Sequence, residues 1–204
     1  MMTIMQKKSS SKTAVKSRKE ISHERIVEVA ARAIRRSGYD GTAVADIMKE
    51  AGLTHGGFYA HFDSRDALLA EAADRAGADS VALASRVVAS APSGQALQAI
   101  MQAYLSPEHI GAIETGCPVS ALASEMPRQS PAVRHSATVH IKEMIDLIAR
   151  QLPGWGQQQT HEQAMALLCA LIGTTMLARA VDDPALSEAL RAATMNQFTP
   201  AADC

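Results

Sequence analysis

Between Thr42 and Phe62 the chain reads TAVADIMKEAGLTHGGFYAHF, and the second half of that stretch is built from groups that bind anions. Thr54, Tyr59 and His61 carry hydrogen-bond donors suited to phosphate oxygens, and the ring of His55 can reach a base edge. Gly56 and Gly57 stand side by side in a segment of about two helical turns, where each costs roughly 1 kcal/mol relative to alanine. A local conflict of that kind tends to mark a functional position. Glycine also lets the backbone approach another surface with no Cβ in the way, and a capped helix start offers free N–H groups and a positive dipole end to phosphate. The chemistry is recognition of a phosphate backbone with limited reading of bases. The other reactive residue is Cys117, between Gly116 and Pro118. Proline suits the first helical position, which puts the thiol at or beside an N-cap, a place that favours the thiolate.

Two short helices must position the first set. Val44, Ile47, Met48 and Ala51 follow an i, i+3, i+4, i+7 spacing and give the first helix one apolar face. Thr42 is its expected N-cap and Gly52 its stop. Leu53 supplies an apolar plug, Thr54 caps the second helix, and Phe58 and Phe62 anchor that helix inward. His55, Gly56, Tyr59 and His61 are left facing outward. A preceding helix is expected to start near Ser22, with Glu24 in its first turn and Ile26, Val29, Ala30, Ala33 and Ile34 as its core stripe. Arg35 and Arg36 suit its last turn, Gly38 ends it, and Arg25, Arg32 and Arg36 lie on its polar side. Tyr39, Phe58 and Phe62 close the three helices into a small head.

From Gly41 to Leu68 the pattern Gly-x-x-x-x-x-Ile-x-x-x-Ala-Gly-Leu-Thr-x-Gly-x-Phe-Tyr-x-His-Phe-x-x-Arg-x-x-Leu resembles the DNA-binding domain of TetR-type (tetracycline-repressor-like) transcriptional regulators. Arg65 stands where that family usually has lysine, which keeps the charge. The resemblance implies an all-α protein with a helix-turn-helix head and a larger helical body that binds an effector and dimerises. It implies a dimeric repressor, released from an inverted-repeat operator by a small-molecule or thiol-reactive effector. Its DNA-facing residues would be Thr42, Thr54, His55, Gly56, Gly57, Tyr59, His61 and Arg65. The expected boundaries are a disordered basic arm at 1–20, the head at 21–65 and the body at 66–204. The segment Gly116–Glu125 also resembles the sensor stretch of TetR-type repressors that respond to electrophiles and oxidants. A structural role for Cys117 as a small residue stays open beside that reading.

Composition agrees with such a division. The 204 residues are 47% hydrophobic and only 3% aromatic, a core of Ala, Leu, Ile, Val and Met that favours helix. The net charge of −1 conceals a split. Residues 1–65 hold twelve Lys/Arg against seven Asp/Glu, and residues 66–204 hold eight against fourteen. A basic head on an acidic body is the expected form of a DNA-binding regulator, and disfavours a nucleoid-type binder without an effector. Lys7, Lys8, Lys12, Lys16, Arg18 and Lys19 make the arm basic, either to touch DNA or as a solvated tail. No run approaches a membrane span and no signal peptide precedes the head, so the expected compartment is the cytoplasm. Cys117, Cys169 and Cys204 form no C-x-x-C pair, and the seven histidines no metal-ligand spacing. No cofactor or metal is expected.

In the body a long helix is expected over 65–90, shorter ones at 94–105 and 107–114, one opening at Pro118, then helices at 131–152, 160–180 and from Pro184 to about Asn196. Segment 160–180 is apolar on nearly every side and so must be covered all round. A second subunit is the expected cover, with Ala164, Leu167, Leu168, Leu171, Gly173 and Ala178 at the interface and Ala170 also allowing close approach. The effector pocket is expected among Met101, Tyr104, Cys117, Met126, Met144, Trp155 and Met176. Cys169 is expected to be inert packing. The competing reading is a Cys117-dependent thiol enzyme, for which His109, His135 or His140 would supply the base.

Overall fold

Ser17 sets where the first helix begins. Its Oγ accepts from the Glu20 N–H at 3.2 Å while the Glu20 carboxylate accepts from the Ser17 N–H at 2.6 Å, a reciprocal capping box. Helix α1 therefore spans Arg18–Ser37, its cap five residues before the one expected at Ser22. The computed structural model describes residues 16–199. Of the basic arm at 1–20, residues 18–20 belong to α1, and Lys16 pairs with Glu24 at 2.5 Å. Lys7, Lys8 and Lys12, like Cys204 and the rest of the tail, lie outside the described residues.

Gly38, at φ +76°, turns the chain out of α1, and Gly52, at φ +71°, ends the region of α2 (Val44–Glu50). Both conformations favour glycine. Thr42 is not the cap of α2; Ala43 holds that position. The Thr42 hydroxyl instead donates to the Gly38 carbonyl at 2.6 Å and is buried within the α1–α2 turn. The second helix of the motif is a 3₁₀ helix, His55–Ala60, with Thr54 at its N-cap position but making no side-chain capping bond. Phe58 and Phe62 are stacked, 5.6 Å between centroids, and almost wholly buried. Burial of each contributes roughly 1.5–3 kcal/mol.

Ser64 caps α3 (Arg65–Ser90), the long helix that leaves the head. The body continues with α4 (Ala96–Tyr104), α5 (Pro107–Gly111), α6 (Pro118–Leu122), a 3₁₀ turn at Met126–Arg128, α7 (Pro131–Ala149), α8 (Gln158–Ala180) and α9 (Pro184–Phe198). Among the described residues there is no strand. Helix α3 packs along α7 and against α1 and α4, and α8 lies against α7 and α9. Helices α3 and α7 pack tightly at Gly77, where a Cβ would sit 2.4 Å from the His140 ring. The apolar core of the head runs on into Leu68, Leu69, Ala72 and Ala73 of α3 and reaches Leu122 and Val133. A second core gathers Leu97, Met101, Leu105, Met144, Ile148, Leu167, Leu168 and Leu171.

Helix α8 corrects three expectations. By length and composition it is apolar enough to cross a membrane, although the sequence showed no obvious span; in the fold it is a packed element of the body. Ala164, Leu167, Leu168, Leu171 and Ala178, expected at a subunit interface, are buried inside the chain's own core. The outer face of α8 carries Met165, Cys169 and Leu177, all exposed. Gly173 is half-buried with open space at its Cβ position. Cys169 is thus a surface residue of the chain, not internal packing.

Candidate nucleic-acid interface and effector cavity

Apolar anchoring decides which motif residues are free. With Phe58 and Phe62 turned into the head, Thr54, His55, Gly56 and Tyr59 form an exposed row on the 3₁₀ helix, Tyr59 being 74% exposed. A Cβ at Gly56 would meet nothing within 4 Å, so that backbone is open to an approaching surface. Gly57 is half-buried, and a Cβ there would touch Met48 and Thr54 at 3.7 Å. It belongs to the seam between helix and core. His61 is half-buried, its Nδ1 has no hydrogen-bond partner, and its pKa is lowered by burial and by the neighbouring His23 and Lys19. It is therefore a neutral donor near pH 7.

Two expected DNA contacts are spent inside the head. Thr42 is buried, as described. Arg65 donates to the Tyr39 carbonyl and, at 3.3 Å, to the Thr42 carbonyl, so the guanidinium ties the start of α3 to the α1–α2 turn. Polar residues of the motif thus serve both to face outward and to fix the angle of the head. His23 takes part in the same work: it stacks on Phe62 at 4.5 Å and bonds Glu71 at 2.6 Å.

Arg35, read from the sequence as an ordinary last-turn cation, is buried where head meets body. Its Nε donates to the Ala31 carbonyl at 3.0 Å and its Nη1 to the Gly116 carbonyl at 3.3 Å, with Asp79 at 3.8 Å. Burial lowers its pKa and Asp79 opposes that shift. Arg179 plays the matching part in the body, donating to the carbonyls of His109 and Ile110 and to Ser120 Oγ, all within 3.0 Å. These two guanidiniums fix both sides of the Gly116–Cys117–Pro118 turn. Cys117 is the N-cap of α6 and is 5% exposed.

The turn borders an apolar cavity of about 30 Å³, lined by Tyr39, Gly77, Cys117, Met126, His140 and Met144 among others. A neighbouring cavity of about 40 Å³ is lined by Val87, Ile100, Tyr104, His109 and Met144. Cys117, Met126 and Met144 line the first cavity, and Tyr104 and Met144 the second. Met101 lines neither; it is fully buried core. Trp155 is 54% exposed on the α7–α8 loop under the Arg150 guanidinium, and Met176 lines neither cavity. Tyr39, Gly77 and His140 are wall residues that the sequence did not reveal. As for a thiol base, His140 spends its ring nitrogens on Asp74 (2.9 Å) and Glu143 (2.7 Å), and His135 is exposed. The ring of His109 lies against Tyr104, 4.7 Å between centroids. Among the described residues no group of His, Cys, Asp and Glu is placed to hold a metal ion.

A helix-turn-helix head with an open, donor-rich face, set on an all-helical body, defines a DNA-binding transcriptional regulator. Residues 26–72 match the family of bacterial regulatory proteins named after TetR, and residues 93–198 match the C-terminal domain of LmrA/YxaF-like transcriptional regulators. An uncharacterised helix-turn-helix transcriptional regulator of Mycobacterium tuberculosis strain H37Rv is 30% identical over 166 residues, covering 76% of this chain and 83% of the relative. The fold matches a TetR-family regulator of Agrobacterium tumefaciens with a TM-score of 0.74 at 20% identity, covering 89% of this chain and all of the other. It matches the reduced form of Escherichia coli NemR with a TM-score of 0.72 at 19% identity, over 86% and 96% of the two chains. The chain belongs to the TetR family of transcriptional regulators, a family typically without catalytic activity.

Proposed function

We propose that this protein is a homodimeric repressor whose 3₁₀ helix enters the major groove of an inverted-repeat operator, and which leaves the DNA when a small molecule or a thiol-reactive compound acts on the body. The observation that carries the reading is the exposed row Thr54, His55, Gly56 and Tyr59 above a fully packed head. Thr54 and Tyr59 donate to phosphates, Gly56 lets the backbone come close, and His55 reads a base edge. His61 adds a donor at the rim. Thr42 and Arg65 hold the head's angle instead of touching DNA.

The dimer forms through the outer faces of α8 and α9, where Met165, Leu177 and Leu186 are 41%, 53% and 46% exposed. Large apolar residues left exposed on two adjacent helices favour burial against a second copy. The effector acts at the cavities between α3 and α7, with Cys117 on the wall as the target of a thiol-reactive compound. Its modification adds bulk beside the turn that Arg35 ties to the head.

Affinity measurements on single variants test the docking. Tyr59→Phe should weaken binding to every DNA sequence by a similar factor, because a phosphate contact carries no sequence information. His55→Ala should change which base is preferred at one position of each half-site. A Tyr59→Phe, His61→Ala double variant that bound its operator as tightly as wild type would rule the docking out.

A further inference from the structure

Among the described residues six buried side-chain polar atoms have no hydrogen-bond partner, and three of them are Tyr39 Oη, Tyr104 Oη and His109 Nε2. Native proteins keep few such groups, and each calls for an explanation. All three belong to residues lining the same pair of cavities. Tyr39 lines the first, and Tyr104 and His109 line the second. Ser80 and Met144 line both, so these two residues border the two spaces. An unbranched thioether is the side chain best able to turn aside, and doing so would join the two spaces along α3.

The walls also specify the guest. Among the described residues no Asp, Glu, Lys or Arg lines either cavity. The ring nitrogens of His140 are engaged by Asp74 and Glu143. An ionised guest would lose its hydration with no counter-charge to replace it. What remains is largely apolar surface with the Ser80 hydroxyl, the Cys117 thiol, two phenolic donors and one imidazole nitrogen.

We propose that the two cavities form one ligand slot, gated by Met144, which takes an uncharged, largely apolar molecule bearing carbonyl or ether oxygens, and that the head itself supplies one of its contacts through Tyr39. Tyr39 belongs to the α1–α2 turn, not to the body. Its N–H donates to the Glu125 carboxylate at 2.8 Å and its carbonyl accepts from Arg65. The preceding Gly38 is equally confined, since a Cβ there would lie 2.3 Å from Glu125 Oε1. A guest that draws or pushes the Tyr39 ring therefore acts on the joint that sets α2 and the DNA-facing row against α3. Only this last consequence rests on the reading of the protein as an effector-released repressor; occupation of the slot does not.

Prodan, an uncharged naphthalene dye with one carbonyl acceptor, is a suitable probe because its emission reddens when that carbonyl accepts a hydrogen bond. The full chain should bind it saturably. Tyr39→Phe should weaken binding about 2- to 10-fold, the range of one lost hydrogen bond, and shift the bound emission to the blue. The same variant should melt no lower than wild type, because it removes a buried hydroxyl that had no partner. Met144→Ala, which removes the partition, should bind prodan at least as tightly as wild type. Prodan should release wild-type protein from its operator and release Tyr39→Phe less readily. Absence of saturable binding would overturn the proposal and leave the cavities as packing spaces or sites for water. Binding with the same affinity and emission in Tyr39→Phe would overturn the contribution of the head. Saturable, Tyr39-dependent binding with no effect on DNA would sustain the slot and refute the repressor-release reading alone.

Discussion

Gly56→Ala should push stability and DNA binding in opposite directions. Gly56 lies in the 3₁₀ helix His55–Ala60, its φ is not positive, and a Cβ built there meets nothing within 4 Å. Alanine therefore fits the free protein without strain and restricts the unfolded chain, a gain of about 0.4–1 kcal/mol. For a chain of this length that is a rise in melting temperature of roughly 1–4 °C. On DNA the balance reverses. If the Gly56 backbone meets the phosphate backbone in van der Waals contact, a new methyl group must push the two surfaces apart, and a loss of about 1.4 kcal/mol is a tenfold weaker complex. Thermal unfolding and operator titration by fluorescence anisotropy, in the same buffer, read the two effects separately. Other glycines serve as controls because their space is occupied. At Gly77 a Cβ would lie 2.4 Å from the His140 ring, and at Gly38 the φ of +76° adds strain to a clash with Glu125. Alanine at either should cost stability, about 1–3 kcal/mol for the overpacked site at Gly77. A Gly56→Ala protein that is more stable yet binds its operator within a factor of about two of wild type would refute close backbone approach at this residue.

Further outcomes follow from the body. Leu177→Glu, on the exposed face of α8, should give folded monomers by sedimentation, whereas Leu171→Glu, fully buried, should prevent folding; a wild-type monomer at micromolar concentration would contradict the dimer. His109 is held at about 4 instead of the usual 6.5, first by burial and then by the Arg179 guanidinium. Below pH 6.5 the unfolded chain takes up a proton there that the folded chain refuses until about pH 4, so stability should fall as pH drops through that window, by up to roughly 3 kcal/mol and less as solvent screens the ring. Urea unfolding across this window should lose that slope in His109→Gln. Finally, a maleimide should release wild type but not Cys117→Ser from the operator, a coupling of roughly 1–3 kcal/mol, with Cys169→Ser and Cys204→Ser as controls. Equal release of Cys117→Ser would make that thiol structural.

Local chemistry was legible in the sequence, and facing was not. Gly38 and Gly52 mark their turns because each adopts a positive φ, and Phe58 and Phe62 mark the inner face of the motif because nothing else nearby is large and apolar. The ends of α3, α8 and α9 fell within about two residues of expectation for similar reasons of capping and proline placement. Helix α8 defeats periodicity, since nearly every position is apolar; only its neighbours α7 and α9 decide that Leu167 and Leu171 turn inward and Met165 and Leu177 outward. Thr42 and Arg65 match the DNA-binding pattern but close the α1–α2 turn, a use that depends on carbonyls at Gly38 and Tyr39. The cavity walls join Tyr39, Gly77, Cys117 and His140 from four separate elements, and no local pattern links them.

Selection of bound fragments from a random DNA pool tests the central claim most directly. The account predicts an inverted repeat whose half-sites are centred about 34 Å apart, or a multiple of that distance, on one face of the duplex, and a changed half-site when the selection is repeated with His55→Ala. Enrichment of single, unrepeated sites, or an identical sequence preference in the His55→Ala selection, would contradict it.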